Sequence, residues 1–360
     1  MTTVIPFGPQ HPVLPEPVAL KLELDNDVVV GGALPSIGYV HRGLEKFIDT
    51  KDYVQTTYIC ERICGICSAL HGITYTRAVE KLFDLEIPER AQLIRVIVGE
   101  LNRLHSHLLW LGLFADGFGF ESLFYECWKY REAVQDAAER ICGNRVIHSI
   151  SKVGGVTRDL SKEHTDMLLK MCDTLEDQIK NIEKVFVNNY TVKKRTKGLA
   201  VMSKQVAYEL GTAGPTLRGS DNAIDVRNTE DWAIYKDLGF KTAVEKDGDC
   251  YSRTVVRIKE LYNSIEIMRN AISRLPNGDI TTPVKGFPTG EAIMRTEQPR
   301  GEVVYYVKGN GTKNLERLKI RTPTFANIPS LLVMLPGVKL ADVPIIVLTI
   351  DPPCISCTER

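Results

Sequence analysis

From Val18 to Leu24 the chain alternates, with Val18, Leu20, Leu22 and Leu24 on one face and Ala19, Lys21 and Glu23 on the other. A period of two predicts a strand with one buried face. Asp25-Asn26-Asp27 supplies turn residues and Val28–Val30 resumes the apolar text, so a hairpin is expected. The stretch Gly31–Gly38, broken by Gly and Pro, reads as a loop, and Gly43–Asp49 as a short helix. Helical text then dominates from about Tyr53 to Lys193. Arg90–Phe114 is strongly apolar with few charges, which predicts a buried helix. Leu123–Ile141 and Lys162–Asn188 are charged on one face and apolar on the other, as packed bundle helices are. The polar, Gly-rich segment Gly211–Val226 interrupts the pattern, and Ser252–Leu275 is another amphipathic helix. Val303–Lys308 and the segment Leu318–Ile350 read as short strands and loops rich in Pro and Gly.

These elements predict an α+β fold, mainly α: a central long-helix bundle with small β elements from both chain ends. No internal repeat or low-complexity tract is visible. The chain is expected to form a single domain over 1–360, with β hairpin and loops in 1–50, a helical core in 51–275 and a β/loop segment in 276–360.

Composition narrows the function. Lys plus Arg number 45 and Asp plus Glu number 45, so the formal net charge is zero. Nucleic acid is a poor partner for such a chain, since phosphate binding needs a cationic surface. Zero net charge suits life inside a complex better than life as a free monomer. No N-terminal run has the layout of a signal peptide, and the apolar run Val343–Ile350 is too short to cross a bilayer. Nine cysteines are too sparse for a secreted disulfide scaffold. A reducing, cytoplasmic compartment follows, where clustered Cys means metal or redox chemistry.

Cys64-Gly-Ile-Cys67 and Cys354-Ile-Ser-Cys357 each set two thiols with two residues between them. That spacing lets both sulfurs face one metal, and thiolate is a soft ligand suited to nickel, iron, zinc and iron–sulfur clusters. The pairs form one site only if the fold brings the two chain ends together. Cys60, Cys64 and Cys67 also spell CxxxCxxC, the radical-SAM cluster pattern. The chain lacks the strand–helix repeat of that barrel, Ile66 stands where an aromatic is usual, and the second pair stays unexplained. Glu139-Arg140-Ile141-Cys142-Gly143 repeats the ERICG text without a second Cys. Cys142 therefore reads as a buried small hydrophobe, as do Cys127, Cys172 and Cys250. His105 and His107 sit on an apolar helix and read as core residues. Asp116 reads either as a polar residue near the site or as a C-terminal turn residue.

The contexts of the two pairs carry a resemblance. Arg62-Ile63-Cys64-Gly65-Ile66-Cys67 through His71 resembles the RxCGxCxxxH motif of nickel–iron hydrogenase large subunits, and Asp351-Pro352-Pro353-Cys354-Ile355-Ser356-Cys357 their C-terminal DPCxxC motif. Gly8-Pro9-Gln10-His11-Pro12 resembles the opening shared by the energy-converting, membrane-bound branch and the quinone-site subunit of respiratory complex I. His41-Arg42-Gly43-Leu44-Glu45 resembles the RGxE element, Gln298-Pro299-Arg300-Gly301-Glu302 the PRG element, and Glu139–Leu160 the complex I relative. The likeness spans the chain and implies the nickel–iron hydrogenase large-subunit fold.

Carried over residue by residue, the resemblance implies that Cys64, Cys67, Cys354 and Cys357 bind nickel. Cys64 and Cys354 would be terminal ligands, and Cys67 and Cys357 would bridge to an iron carrying carbon monoxide and cyanide. Arg300 would lie beside the diatomic ligands, as a donor to cyanide or as a base. Glu16 matches the proton-relay glutamate, with a terminal thiolate such as Cys354 as the other proton acceptor. His71, one turn beyond Cys67, is placed to tune a cysteine sulfur; a satisfied core histidine is the alternative. Glu45 is the RGxE glutamate that in relatives helps hold magnesium with a His three residues after the last Cys; Arg360 stands there in this chain, and two Pro precede Cys354 where one is commonest. Ending at Arg360 suits either a trimmed mature chain or a gene that stops there.

The implied activity is reversible conversion of hydrogen to protons and electrons. With both pairs assigned, no other Cys set resembles a cluster motif, so no Fe–S cluster is expected in this chain. Electrons then require an Fe–S-bearing small subunit, with ferredoxin beyond it. Integral membrane subunits of an ion-pumping complex and hydrogenase maturation proteins complete the expected partners, and the chain would sit peripherally on the cytoplasmic face of the membrane. Two other readings stay open: a complex I-type electron-transfer scaffold without nickel, and a non-catalytic protein with a structural four-cysteine zinc site.

Overall fold

Leu20, Leu22 and Leu24 do turn to one buried face, on the middle strand of a three-stranded antiparallel sheet. The computed structural model describes residues 2–352 and 354–359. The sheet consists of β1 (Thr3–Phe7), β2 (Ala19–Asp25) and β3 (Val28–Ser36), in that order. Asp25 pairs with Val28, so Asn26 and Asp27 form the turn, Asn26 at φ 54°. Asn tolerates this left-handed backbone because its short polar side chain bonds locally. Strand β3 runs on through the Gly/Pro stretch expected to be a loop. Two register shifts against β2 absorb the irregular residues.

The short helix α1 (Leu44–Ile48) leads to α2 (Tyr53–Glu61), which Asp52 caps by accepting from the Gln55 amide at 2.7 Å. Helix α3 (Ser68–Leu82) follows, then α4 (Glu89–Gly117), whose 29 residues make a rod about 43 Å long. α4 is buried almost all round. Several of its buried polar side chains are bonded, as Arg95 is to Glu80 (Nη1 to Oε2 2.8 Å). Helix α5 (Glu121–Cys142), the two-residue strands β4 (Ser151–Lys152) and β5 (Gly155–Val156), and α6 (Lys162–Asn188) come next. α4, α5, α6 and α10 (Cys250–Ser273) pack as the bundle.

Between α6 and α10 lie α7 (Tyr190–Thr196), α8 (Lys204–Glu209) and α9 (Gly214–Arg218). The polar 211–226 stretch is thus not a plain loop: Arg218, Asp225 and Thr216 are buried. α10 is less amphipathic than expected, since Arg253, Arg257 and Glu260 point into the interior.

The second sheet is an antiparallel meander of β6 (Thr289–Gln298), β7 (Gly301–Asn310) and β8 (Leu315–Arg321). The region 323–349, expected as strands and loops, is instead helical: α11 (Pro323–Asn327), α12 (Leu331–Met334) and α13 (Val343–Thr349), two of them with Pro in the first turn. A last short helix, α14 (Ile355–Glu359), closes the described chain. The mainly α architecture with small β elements at both ends is as the sequence implies. The large core surrounds α4. A second core lies between α2, α3 and the β6–β8 sheet, and Cys60, Cys64, Cys67, Tyr305, Cys354 and Cys357 belong to it.

Candidate metal centre

The two Cys pairs, 290 residues apart, meet. Cys64 Sγ lies 2.8 Å from Cys354 Sγ and Cys67 Sγ 3.6 Å from it. The four sulfurs of Cys64, Cys67, Cys354 and Cys357 all fall within 4.8 Å of one another, and all four residues are buried. Local structure sets each pair. α2 ends at Arg62, and the chain turns so that the Ile66 and Cys67 amides donate to Cys64 Sγ at 3.3 and 3.4 Å. Arg42 donates to the Arg62 and Ile63 carbonyls, each at 2.9 Å, and Asn102 of α4 to the Ile66 carbonyl at 2.8 Å. The first pair is therefore pinned from both sides.

The second pair is set by the end of α13. Trp110 Nε1 donates to the Leu348 carbonyl at 2.7 Å and Arg257 to the Thr349 carbonyl at 3.1 Å. The chain then reverses at Asp351, which holds φ 64°. Beyond Cys357, the Glu359 carboxylate accepts from the Gly38 amide at 2.6 Å and from the Val40 amide, and His41 Nδ1 contacts the Glu359 carbonyl. The loop after β3 thus clasps the segment that carries the second pair.

The protons on the sulfurs are unevenly held. Burial pushes the Cys67 thiol up, but contacts with Cys354, Cys357 and Cys64, together with His71, take it well below the usual thiol range. Burial, first, and the neighbouring sulfurs push Cys354 well above it; Cys357 is also pushed up, again mainly by burial. Four soft donors at this separation, sealed from water and beside a cation, fit a thiophilic metal.

That cation is Arg300. It occupies the two-residue turn between β6 and β7, where Gln298 pairs with Gly301. The turn reaches inward because Gly214 leaves room: a Cβ there would stand 2.2 Å from the Arg300 carbonyl. Arg300 Nη2 lies 2.9 Å from Asp351 Oδ1, and Nη1 donates to Ser106 Oγ at 3.0 Å. Burial pulls the guanidinium down, but Asp351 and then the sulfurs of Cys354, Cys67 and Cys64 keep it charged.

Residues 42–113 match the family model described as nickel-dependent hydrogenase. Residues 117–286 and 280–360 match that of the respiratory-chain NADH dehydrogenase, 49 Kd subunit. The chain is 41% identical to the membrane-bound hydrogenase subunit alpha of Pyrococcus furiosus, over 99% of this chain and 87% of that protein. The chain belongs to the family that joins nickel-dependent hydrogenase large subunits to the complex I 49 kDa subunit. It is also 40% identical to the carbon monoxide-induced hydrogenase of Rhodospirillum rubrum, over 100% of this chain and 99% of that one. A chain of the solved archaeal membrane-bound sulfane sulfur reductase superposes with a TM-score of 0.93 at 32% identity, covering 99% of this chain and 98% of that one. The hydrogenase–complex I family fold thus runs the whole length of this chain.

Within that fold the other predicted residues fall in different places. His71 is buried, with Nδ1 2.8 Å from the Tyr305 hydroxyl. Glu45 lies in a cleft of about 400 Å³ with His41, Arg317, Lys319 and Glu359. Its carboxylate meets Lys319 Nζ at 3.0 Å and Arg317 at 3.4 Å, so cations of this chain stand beside the glutamate that the RGxE resemblance offered to magnesium. Arg360 lies outside the described residues. Glu16 lines a separate cleft formed by residues 9–17. Arg62 is exposed and donates to the Tyr58 carbonyl. His107 is more than a packed core residue, since Nε2 lies 2.8 Å from Glu260 Oε2.

Sequence reading missed Asp351, Ser106 and Tyr305. Asp351 stood inside the quoted motif, but only its φ and its ion pair show that it holds Arg300. Tyr305 carried no signal beyond strand alternation.

Proposed function

We propose that this chain is the catalytic subunit of a nickel–iron hydrogenase of the energy-converting branch, converting hydrogen reversibly to protons and electrons. The observation that supports it most is the convergence of four buried cysteine sulfurs beside a buried arginine. A complex I-type scaffold has no use for such a set, and a structural zinc site needs no Arg300–Asp351 pair.

Cys64, Cys67, Cys354 and Cys357 would hold nickel, and Cys67 and Cys357 would also serve the iron that carries carbon monoxide and cyanide. Nickel and iron bound there supply a redox centre able to split hydrogen heterolytically. The chain's own part is positioning and proton handling. Arg300, with Asp351 and Ser106 on two sides, is built as a fixed charged donor to the diatomic ligands. Cys354 Sγ would be the chain's acceptor for the proton, with Glu16 or water as its way out. His71 tunes the nearby sulfur. Burial of the site excludes bulk water from the chemistry.

Among the described residues no second Cys cluster exists, so electrons leave through an Fe–S-bearing partner subunit and on to ferredoxin. No helix among the described residues is long and apolar enough to cross a membrane. Two of the relatives above, the hydrogenase subunit alpha and the sulfane sulfur reductase, are named as membrane-bound, and we place this chain peripherally on the cytoplasmic face, against ion-pumping membrane subunits, after metal insertion by maturation proteins. The stretches 1–50, 51–275 and 276–360 act as one domain, because the site draws on all three.

Metal analysis with infrared spectroscopy tests the reading. Nickel and iron near one each per chain, with bands from iron-bound carbon monoxide and cyanide, is the expected result. Zinc alone supports the structural site, and a metal-free chain active in quinone-linked electron transfer supports the scaffold.

A further inference from the structure

Glu297 is buried on a strand face that otherwise meets water. Along β6 the period of two sends Ala292, Met294, Thr296 and Gln298 inward and Glu291, Ile293, Arg295 and Glu297 outward. The first three of the outward set are exposed, yet Glu297 is only 3% exposed. The segment 212–229 lies over it: the Val226 amide donates to Glu297 Oε2 at 3.2 Å and Arg218 Nη1 to Oε1 at 2.7 Å. Between that segment and the sheet a cleft of about 200 Å³ stays open, lined by Thr212, Gly214, Asp225, Arg295, Glu297 and Glu302. Such a volume holds several waters. At its rim Glu302, the cross-strand partner of Glu297, is ion-paired with Arg295 at 3.4 Å and with Arg321 at 2.6 Å. At its inner end Gly214 stands against the Arg300 carbonyl.

Behind Glu297 the charges do not balance. One connected set of buried ion pairs joins Glu100 and Arg103 of α4, Arg218 of α9, Asp225 and Arg227 just beyond it, Glu260 of α10, and Glu297 itself. Arg103 also donates to the Glu297 carbonyl at 2.6 Å, and Tyr235 to Glu100 at 2.8 Å. Four carboxylates thus face three guanidiniums. An excess buried charge is costly, and a group so placed takes up a proton instead. That proton can sit on His107, whose Nε2 lies 2.8 Å from Glu260, or on a carboxyl. His107 Nδ1 has no hydrogen-bond partner among the described residues, so a second N–H there would be an unmet buried donor. Glu100 and Glu260 are sealed from solvent, while Asp225 and Glu297 line the cleft. Asp225 is bonded to Arg227 through both oxygens, Oδ1 to Nε at 3.0 Å and Oδ2 to Nη2 at 2.8 Å. Glu297 has one guanidinium and one amide. Burial, then the Asp225 charge, raise its carboxyl to about 7.

We propose that this cleft is a proton port and that Glu297 is the store it loads, holding the one exchangeable proton of the buried charge cluster. The step is a bare proton transfer: the Glu297 carboxyl gives H+ to water in the cleft and is left as carboxylate, and the reverse reloads it. The store backs the candidate metal centre. β6 runs from Glu297 into the turn that carries Arg300, and α4 presents side by side Ser106, which holds Arg300, and His107, which holds Glu260. Negative charge gained behind Arg300 therefore favours the protonated Glu297, and charge lost releases the proton. This use of the store rests on the hydrogenase reading; the port itself does not. The route is separate from that of Glu16, which lines another cleft.

Infrared difference spectroscopy of the full chain across neutral pH tests it. A protonated-carboxyl band is expected that is lost as pH rises through about 7, moves on transfer to deuterium oxide and is missing from Glu297→Gln. Glu61, also raised to about 7, gives a band of its own, which Glu61→Gln removes. Ile224→Trp, at the exposed rim of the cleft, should leave the Glu297 band in place and slow its deuterium exchange at least about tenfold, because exchange then waits on local opening. In the metal-loaded protein at neutral pH the band should grow on reduction. A band untouched by Glu297→Gln, an imidazolium His107 beside an ionised Glu297, or exchange as fast in Ile224→Trp as in the unaltered chain overturns the proposal. Should Glu297→Gln not fold, Glu61→Gln decides: no carboxyl band left just below neutral pH overturns it. A band that ignores reduction overturns the link to the metal centre. A chain that binds neither nickel nor iron fails the hydrogenase reading, while the titration and the exchange still decide the port.

Discussion

Arg300 Nη2 sits 2.9 Å from Asp351 Oδ1 with both side chains fully buried, which ties the tip of the β6–β7 hairpin to the segment that delivers Cys354. Breaking a buried pair from one side leaves an uncompensated charge and costs about 3–5 kcal/mol. Asp351→Asn is therefore expected to lose stability in that range by urea unfolding, with loss of metal. Arg300→Lys keeps the charge but cannot reach Asp351 and Ser106 together. Hydrogen uptake should drop about 100-fold, as when a fixed donor is removed from an active site, while much of the metal is retained. Full uptake in Arg300→Lys would dismiss the fixed-donor role.

The unequal assignment of the sulfurs makes a separate prediction. Cys357→Ser should abolish hydrogen activity and the bridged iron together, read by iron content and by loss of the infrared bands. Cys142→Ala, buried but remote from the set, should lose about 1 kcal/mol of stability at most and keep its metals. Retained activity in Cys357→Ser would refute the site assignment.

How much of this was legible in the sequence follows from what each signal depends on. The Leu20–Leu24 alternation and the helix over 162–188 were readable because period and capping are local. The four thiols were readable as a site only through their motifs, since the 290-residue closure is made by the packing of α4 against α13. One segment misled. The 323–349 stretch carries Pro at helix starts, where its missing N–H is harmless, so Pro content alone suggested loops. Tyr305 and Ser106 were silent, because a partner across the fold leaves no mark on sequence spacing.

Gly72 on α3 lets the helix pass close to Glu61 on α2. A Cβ there would meet Glu61 Oε1 at 2.7 Å and Cγ at 2.8 Å. Glu61 cannot readily withdraw, because Oε2 accepts from Ser149 Oγ at 2.6 Å and the side chain is buried. Gly72→Ala should destabilise the chain by about 1–3 kcal/mol, as overpacking does. In a double-mutant cycle, Glu61→Ala should relieve most of that loss. Strict additivity of the two changes by urea unfolding would show that the contact is not the cause.

Glu297 supplies the pH prediction. It belongs to a buried cluster in which four carboxylates, Glu100, Asp225, Glu260 and Glu297, face three guanidiniums, Arg103, Arg218 and Arg227. Arg218 Nη1 lies 2.7 Å from Glu297 Oε1, and the Val226 amide donates to Oε2 at 3.2 Å. His107, pulled down mainly by burial, does not offset the excess negative charge at neutral pH. Burial, then the Asp225 charge, push Glu297 up to about 7 from 4.5. A carboxyl raised in the folded state binds more protons there than in the unfolded chain between those values, so its contribution is full below 4.5 and is lost as pH rises through 7. The loss amounts to about 3 kcal/mol, at 1.36 kcal/mol for each tenfold change in proton activity. Glu297→Gln balances three carboxylates against three guanidiniums, and the amide oxygen can still accept from Arg218. The difference in unfolding free energy between variant and unaltered protein should therefore grow in the variant's favour from pH 4.5 to 7 and level off above. Taking the difference removes the other groups that titrate nearby, Glu61 at about 7 and His148 at about 4. A difference that stays flat across this range would mean that Glu297 is ionised throughout and that the cluster stores its extra charge unneutralised.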